Sequence, residues 1–278
     1  MECWSFAMKF NFITLFPDFI SPFLEEGVLG RAHKKNIIES KIVNPRDFTE
    51  DVHKTVDDKP YGGGDGMVML SEPLERALVS ITPLKHKVVY LSPQGSLWDN
   101  HKAQKWSESE TQITFICGRY AGIDQRFINE YVDEEISIGN YVLSGGEVPA
   151  IVVADSMARF LPGVLGNHNS AFEESLQNND LLEAPQFTRP DTVGDQVVPS
   201  VYRSGHHKKI QQAKEALAWV VTMKKRPELI QWNDSSKLKL KESLKIVKSW
   251  NIEELKSLGL ELSEVTQMEL ELERGSSY

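Results

Sequence analysis

Two spacings of apolar residues alternate along the first half of the chain. In residues 9–16 every second position is Phe or Thr, which predicts a strand with one buried side. Residues 17–30 change to helical spacing, with Gly27 or Gly30 as the predicted end of the helix. The same criterion predicts strands at 37–43, 87–91, 112–117 and 136–138, a helix at 71–81 capped by Ser71, and a helix buried on most sides at 148–161. Strands that alternate with helices indicate an α/β domain with a largely parallel sheet.

The pattern changes after residue 162. Residues 163–180 are polar and rich in Asn, Ser and Glu, which predicts an interdomain linker. Helical spacing returns at residues 207–225, 235–250 and 252–258, with Pro227 closing the first helix and Gly259 the last. We therefore predict an α/β domain over residues 8–162, a flexible linker over 163–180 and a smaller, mostly α-helical domain over 181–278. Because strand-like sequence starts directly after Met8, we interpret residues 1–7 either as an extension or as the result of an early start codon.

Three loops directly follow predicted strands, after Leu91, Cys117 and Ile138. Ligands bind beyond the carboxyl ends of parallel strands, and glycines in such loops let the backbone approach a ligand closely. Their agreement favours a ligand site over the alternative of plain tight turns. For the glycines of residues 62–66 the plain turn is favoured. A phosphate-binding NTPase loop is excluded there because no Lys-Ser/Thr follows.

Composition is that of an ordinary soluble globular protein, with 40% hydrophobic and 26% charged residues in 278 positions. Cys3 and Cys117 cannot make a disulfide framework and lack metal-ligand spacing. No uncharged apolar run approaches the length of a membrane span, and the first residues lack the pattern of a signal peptide. These features predict a cytoplasmic protein.

Charge is distributed unevenly along the chain. The net charge is −9, yet residues 203–250 contain twelve Lys/Arg and only four Asp/Glu. Such asymmetry is typical of a protein with one phosphate-facing region. A solvated helical face is the alternative, and charge alone leaves both interpretations open.

A series of short strings occurs in order between residues 12 and 229. They are Phe12-Ile13-Thr14-Leu15-Phe16-Pro17, Pro60-Tyr61-Gly62-Gly63-Gly64, Tyr90-Leu91-Ser92-Pro93-Gln94-Gly95, Cys117-Gly118-Arg119-Tyr120, Ser137-Ile138-Gly139, Tyr141-Val142-Leu143, Gly145-Gly146-Glu147, Arg159-Phe160-Leu161-Pro162-Gly163, Ser204-Gly205-His206-His207 and Arg226-Pro227-Glu228-Leu229. Any one string could arise by chance, but the ordered set is specific. The chain resembles the bacterial TrmD family of tRNA (guanine-N1)-methyltransferases over roughly residues 8–229.

The resemblance implies a fold, a reaction and partners. The fold is a SPOUT-type, trefoil-knotted α/β methyltransferase domain followed by a helical C-terminal domain that grips tRNA. The reaction transfers a methyl group from S-adenosylmethionine, leaving S-adenosylhomocysteine, to N1 of the guanine 3′ of the anticodon (tRNA position 37), which prevents frameshifting. The resemblance also implies a homodimer with a shared active site and Mg²⁺ during turnover.

The resemblance assigns the methyl donor to the three loops and names two catalytic side chains. Arg159 is implied as the cation that stabilises charge on guanine O6, and Glu174 as the base that accepts the N1 proton. Glu174 departs from the family's aspartate by one methylene, and Ala121 stands where many relatives have an acidic residue. The implied donor-binding residues are Tyr90, Leu91, Ser92, Pro93, Gln94, Gly95, Gly118, Tyr120, Ser137, Ile138, Gly139, Tyr141, Leu143, Gly145 and Gly146.

Alternatives accompany these roles. Asp155 and Arg159 are four residues apart on a predicted helix and can form a mere surface pair. His206 and His207 have no third metal ligand, so we predict no metal site there and expect contact with tRNA or solvent. Two rival functions stay open: a related methyltransferase acting on another RNA, and an RNA-binding protein without activity. The candidate phosphate contacts are Lys208, Lys209, Lys224, Lys225 and Arg226.

Overall fold

The computed structural model of the chain describes residues 7–81, 86–166, 176 and 180–273. The chain divides into two compact units, Met1–His168 and Asn169–Tyr278, and each is described by itself. The division falls inside the stretch that the sequence predicts as a linker. The limits and the flexibility of that linker stay predictions.

The first unit is built on one parallel sheet. Its strands are β1 (Met8–Ile13), β2 (Ile38–Val43), β5 (Lys87–Leu97), β6 (Gln112–Ile116) and β7 (Glu134–Ser137), while β3 (Asp57–Asp58) and β4 (Val68–Met69) form a separate antiparallel pair. The five strands lie in the order β2-β1-β6-β5-β7, and every pairing is parallel. The predicted α/β domain with a parallel sheet is confirmed. The trefoil knot stays a prediction.

Helices connect these strands and cover the sheet. They are α1 (Pro17–Glu25), α2 (Gly27–Lys34), α3 (Ser71–Val79), α4 (Asn100–Ser109), α5 (Gln125–Tyr131) and α6 (Glu147–Ala158), with a 3-10 helix at Pro45–Phe48. The side chains of Val153, Ala154 and Met157 in α6 are completely buried. The prediction of a helix buried on most sides is therefore confirmed, although α6 ends at Ala158, before the predicted limit.

The sheet is buried on both faces, which the alternation in residues 9–16 did not predict. Phe10 and Phe12 of β1 pack against Phe115 of β6. The intervening Asn11 is also buried, and its Nδ2 donates a 3.1 Å hydrogen bond to Oγ1 of Thr114. A hydrogen-bonded polar pair can be buried at small cost, so a polar position in the pattern need not face water.

One predicted helix boundary was wrong, and another is decided between two alternatives. Of the two glycines predicted as possible ends of the helix that begins at Pro17, Gly27 marks the break: α1 ends at Glu25, and a second helix begins at Gly27, whose φ of +62° is a conformation that glycine adopts without strain. Gly30 lies inside α2, where an added Cβ would be 2.1 Å from the carbonyl oxygen of Glu25. Ser71 is the first residue of α3 rather than its cap; Leu70 occupies the cap position without a side-chain hydrogen bond.

The second unit is mostly helical, as predicted. It contains a short hairpin of β8 (Thr192–Val193) and β9 (Gln196–Val197), followed by α7 (Ser200–Arg203), α8 (His207–Lys225), α9 (Asp234–Lys248), α10 (Ile252–Ser257) and α11 (Leu262–Glu273). Its core joins α8, α9 and α11 through Leu217, Leu240 and Val265. Within the described ranges of the chain, no helix has both the length and the apolar character that a membrane crossing requires.

Candidate functional site

A cavity of about 360 Å³ opens where the three predicted loops meet, at the carboxyl ends of β5, β6 and β7. This volume lies in the range of small-molecule sites. The fold thus brings together all the residues predicted to bind a donor except Gly95. The lining residues are Tyr90, Leu91, Ser92, Pro93, Gln94, Gly118, Arg119, Tyr120, Ala121, Gly122, Ile136, Ser137, Ile138, Gly139, Tyr141, Val142, Leu143, Ser144, Gly145, Gly146 and Pro149.

The first wall is an outward loop within β5. Leu91 and Ser96 both pair with Ile136 of β7, so the chain between them leaves the regular register, and residues 92–94 project toward the cavity. The projecting turn is held by a 3.1 Å hydrogen bond from the Gln94 amide to Oγ of Ser92. Gly95 belongs to the sheet rather than to the cavity, because an added Cβ would lie 2.3 Å from the backbone carbon of Glu135.

The second wall, residues 118–122, approaches its neighbours closely. An added Cβ on Gly118 would lie 2.7 Å from Cε2 of Tyr90, so no side chain has room there. Tyr120 adopts φ +59°, a left-handed conformation that costs free energy in a non-glycine residue and occurs often at functional sites. Burial, followed by the charge of Glu135, raises the pKa of Tyr90, so this phenol stays protonated.

The third wall, residues 137–146, is folded by local hydrogen bonds. Oγ of Ser137 donates to the Gly139 carbonyl at 3.1 Å, and the hydroxyl of Tyr141 donates to the Ile138 carbonyl at 3.1 Å. The amide of Gly146 donates to the Gly118 carbonyl at 3.0 Å, which ties this wall to the second one. The result is a cavity bounded by backbone and by apolar side chains.

The cavity carries almost no charge of its own. Among its described lining residues, Arg119 is the one with a charged side chain, and its Nη2 lies 2.9 Å from Oε2 of the buried Glu147. Sequence reasoning missed this pair, although both residues stand in the quoted strings beside the glycines that received roles. Burial raises the pKa of the Cys117 thiol well above its usual range, so this neighbour is no nucleophile.

Comparison with known proteins decides the family. The model of the family described as tRNA (Guanine-1)-methyltransferase TrmD matches residues 8–232. The chain belongs to the TrmD family. Relatives named tRNA (guanine-N(1)-)-methyltransferase include one from Pseudoalteromonas atlantica, 46% identical over 224 residues (80% of this chain and 84% of the relative), and one from Hydrogenovibrio crunogenus, 45% identical over 225 residues (80% and 94%). A third, from Ruminiclostridium cellulolyticum, is 45% identical over 225 residues (80% and 96%).

The TrmD match contains the whole cavity and stops before α9. The helices α9, α10 and α11 therefore lie outside it. Lys224 of α8 pairs with Glu264 of α11 at 2.6 Å, and Arg226 pairs with Glu228. Two of the five candidate phosphate contacts are thus already engaged by carboxylates. Within the described residues, no group of three or more His, Cys, Asp or Glu side chains could hold a metal ion.

Of the two implied catalytic residues of this TrmD chain, only Arg159 is among the described residues. Arg159 caps the far end of α6, which is about 18 Å from its beginning at 1.5 Å per residue, and it does not line the cavity. Glu174, with its neighbour Glu173, lies outside the described residues. Ala121 lines the cavity, and its amide donates a 2.9 Å hydrogen bond to the Met67 carbonyl. The glycine-rich loop before Met67 therefore adjoins the second wall.

Proposed function

We propose that this protein transfers a methyl group from S-adenosylmethionine to N1 of the guanine immediately 3′ of the anticodon, tRNA position 37. The product S-adenosylhomocysteine leaves, and the modified tRNA resists frameshifting. The single observation that carries the proposal is the cavity in which the three loops of a TrmD chain meet. We place the reaction in the cytoplasm, where tRNA is used.

The walls of the cavity suit a nucleoside donor. Leu91, Ile138 and Leu143 supply an apolar slot for a base, while backbone groups beside the glycines can meet its polar edge. Because Gly118 has no side chain, the space between it and Tyr90 stays part of that slot. Bound there, S-adenosylmethionine supplies a methyl group carried on a positively charged sulfur.

The chemistry at guanine needs a proton acceptor and a cation. Guanine N1 carries a proton that must leave as the methyl group arrives, and negative charge builds on O6 meanwhile. We assign the proton to the carboxylate of Glu174 and the stabilisation of O6 to the guanidinium of Arg159. No acidic side chain occurs among the described lining residues, and Ala121 provides none, which supports a base from elsewhere in the chain.

We infer a homodimer that completes the site. Arg159 stands about 18 Å along α6 from the beginning of the helix, which adjoins the cavity, so a second copy is the natural source of this cation. Apolar side chains on α1 and α6, two helices in contact, support such an interface. Those left 41–50% exposed are Phe19, Phe23, Val148 and Val152, and Phe16 beside them is 49% exposed.

Methylation of defined transcripts tests the function. The protein, labelled S-adenosylmethionine and Mg²⁺ are incubated with a tRNA transcript carrying guanine 3′ of the anticodon and with one carrying adenine there. We expect label only on the first, mapped to N1 of that guanine. Label on both transcripts would favour the rival methyltransferase acting elsewhere on RNA. RNA binding without label on either would favour the non-enzymatic rival, and omission of Mg²⁺ tests the metal requirement.

The same assay distinguishes the two neighbouring carboxylates. Glu174→Gln removes the proposed base, and a loss of about 10²–10⁴-fold in rate is expected. Glu173→Gln removes an equal charge from the adjacent position and serves as the matched control, with a rate close to that of the wild type. A wild-type rate for Glu174→Gln would show that another group accepts the proton.

A further inference from the structure

A buried carboxylate lies directly behind the cavity and has no role in the proposal above. Glu147, the first residue of α6, is 1% exposed. Carboxylates are rarely buried this completely unless they are paired. Oε1 of Glu147 accepts hydrogen bonds from Oγ1 of Thr14 at 2.7 Å and from Nε of Arg119 at 3.2 Å. Its Oε2 makes an ion-pair contact with Nη2 of Arg119, without the geometry of a hydrogen bond.

Arg119 links Glu147 to the cavity wall. Its Nη1 donates to the carbonyl of Ser144 at 3.1 Å, and its Cζ lies 4.3 Å from the ring centre of Phe16. A guanidinium is planar, so fixing one edge on Glu147 fixes the direction of the other edge. Arg119 and Ser144 both line the cavity, whereas Glu147 does not. The carboxylate therefore acts on the wall only through Arg119.

The side chains of Arg119 and Glu147 pack tightly against Gly145. An added Cβ on Gly145 would lie 2.3 Å from Nε of Arg119 and 2.6 Å from Oε2 of Glu147. Thr14 follows β1, and its Oγ1 also accepts a 3.0 Å hydrogen bond from the Phe16 amide. Thr14, Arg119 and Gly145, which come from three separate stretches of the chain, therefore all surround the buried carboxylate of Glu147. Arg119 and Gly145 belong to the cavity walls.

We propose that Glu147 is a positioning residue for the methyl donor. Through Arg119 and the Ser144 carbonyl, it holds the wall of residues 141–144 in the shape that binds the donor. This inference rests on the proposed function, because it concerns the affinity of the same cavity. A purely structural role would instead lower the stability of the fold and leave the donor affinity of the folded protein unchanged.

Titration of Glu147→Gln with S-adenosylhomocysteine tests the inference. Glutamine keeps the shape but removes the charge that orients the guanidinium, so we expect the dissociation constant to rise about tenfold or more. Glu134→Gln is the matched control. Glu134 contacts Lys87 and Lys102 at 3.2 and 3.1 Å in the same unit but does not line the cavity, so its removal should leave donor affinity unchanged.

Arg119→Lys provides a second route that leaves Glu147 charged. Lysine keeps the ion pair but cannot reach both Glu147 and Ser144, so a donor-specific loss of similar size is expected. The double variant should lose less than the two single losses multiplied, because both act through one contact. Wild-type donor affinity in folded Arg119→Lys, or in folded Glu147→Gln with a lowered melting temperature, would overturn the inference. Failure of the wild type itself to bind S-adenosylhomocysteine would instead refute the proposed function.

Discussion

Single glycines serve two different purposes in this molecule. At Gly118 and Gly146 the backbone passes so close to a neighbour that an added Cβ would lie 2.7 Å from Tyr90 and from Cys117, respectively. At Gly63 nothing lies within 4 Å, and the residue is needed for its φ of +77°. Glycines of the first kind shape the cavity by the space that they leave.

This difference gives a prediction for Gly118→Ala. The new methyl group must displace the buried ring of Tyr90, and overpacking of this kind costs about 1–3 kcal/mol. We expect S-adenosylhomocysteine to bind about tenfold more weakly or worse by calorimetry. Gly63→Ala is the control, expected to lower the unfolding free energy by about 1 kcal/mol without changing donor affinity. Equal affinities for the two variants would contradict the close-approach explanation.

The sequence identified the glycines of the site but not their purposes. A string such as Gly145-Gly146-Glu147 shows where glycines stand. It does not show that a side chain at those glycines would collide with residues distant in the sequence. The pairing of Glu147 with Thr14 spans 133 positions. No spacing rule predicts a contact of that range from one sequence.

Among the elements, β5 supplies the first wall of the site, and its course differs from the prediction. The sequence predicted a strand over residues 87–91 followed by a loop, but the structure has one strand, Lys87–Leu97, from which residues 92–94 project. The apolar run ends at Leu91 because the projecting residues face the cavity and solvent. The return to the sheet depends on pairing with β7, which local pattern cannot reveal.

The point at which β5 rejoins the sheet can be tested with the substitution Gly95→Val. The added side chain would collide with the backbone of Glu135, so the unfolding free energy should fall by about 1–3 kcal/mol in denaturant titration. Gly166→Val provides the comparison, because an added Cβ there meets nothing within 4 Å, and a change within about 0.5 kcal/mol is expected. If Gly95→Val is as stable as Gly166→Val, β5 does not rejoin the sheet as described.

At the scale of the whole molecule, counting basic residues along the sequence overestimates how many of them lack a carboxylate partner. The basic stretch of residues 203–250 excludes α11, yet Glu264, Glu269 and Glu273 of that helix pair with Lys224, Lys248 and Lys241. These contacts join elements far apart in sequence. The helices themselves were predictable from spacing, and α8 has the predicted limits, because a helix is a local structure.

Mixed dimers test whether two copies share each site. Gly118→Val disables the donor cavity of its own chain, and Arg159→Ala removes the cation that we assign to the partner's site. Each variant alone should be nearly inactive in the transcript assay. Random pairing of the two should restore about a quarter of the wild-type sites, because one site in each mixed dimer combines both intact surfaces. Confirmed mixed dimers without activity would show that each chain uses its own Arg159.

The pairing of Arg119 with Glu147 has a consequence for control of the reaction. A fresh donor differs from a spent one by a methyl group and one positive charge. Among the described lining residues, the one cation, Arg119, is already neutralised by Glu147, so we expect the cavity to discriminate little on that charge. If the cavity binds the donor as we propose, the two molecules compete for occupancy on nearly equal terms. We then expect the rate of modification to follow the ratio of unused to used donor in the cell, rather than the supply of donor alone.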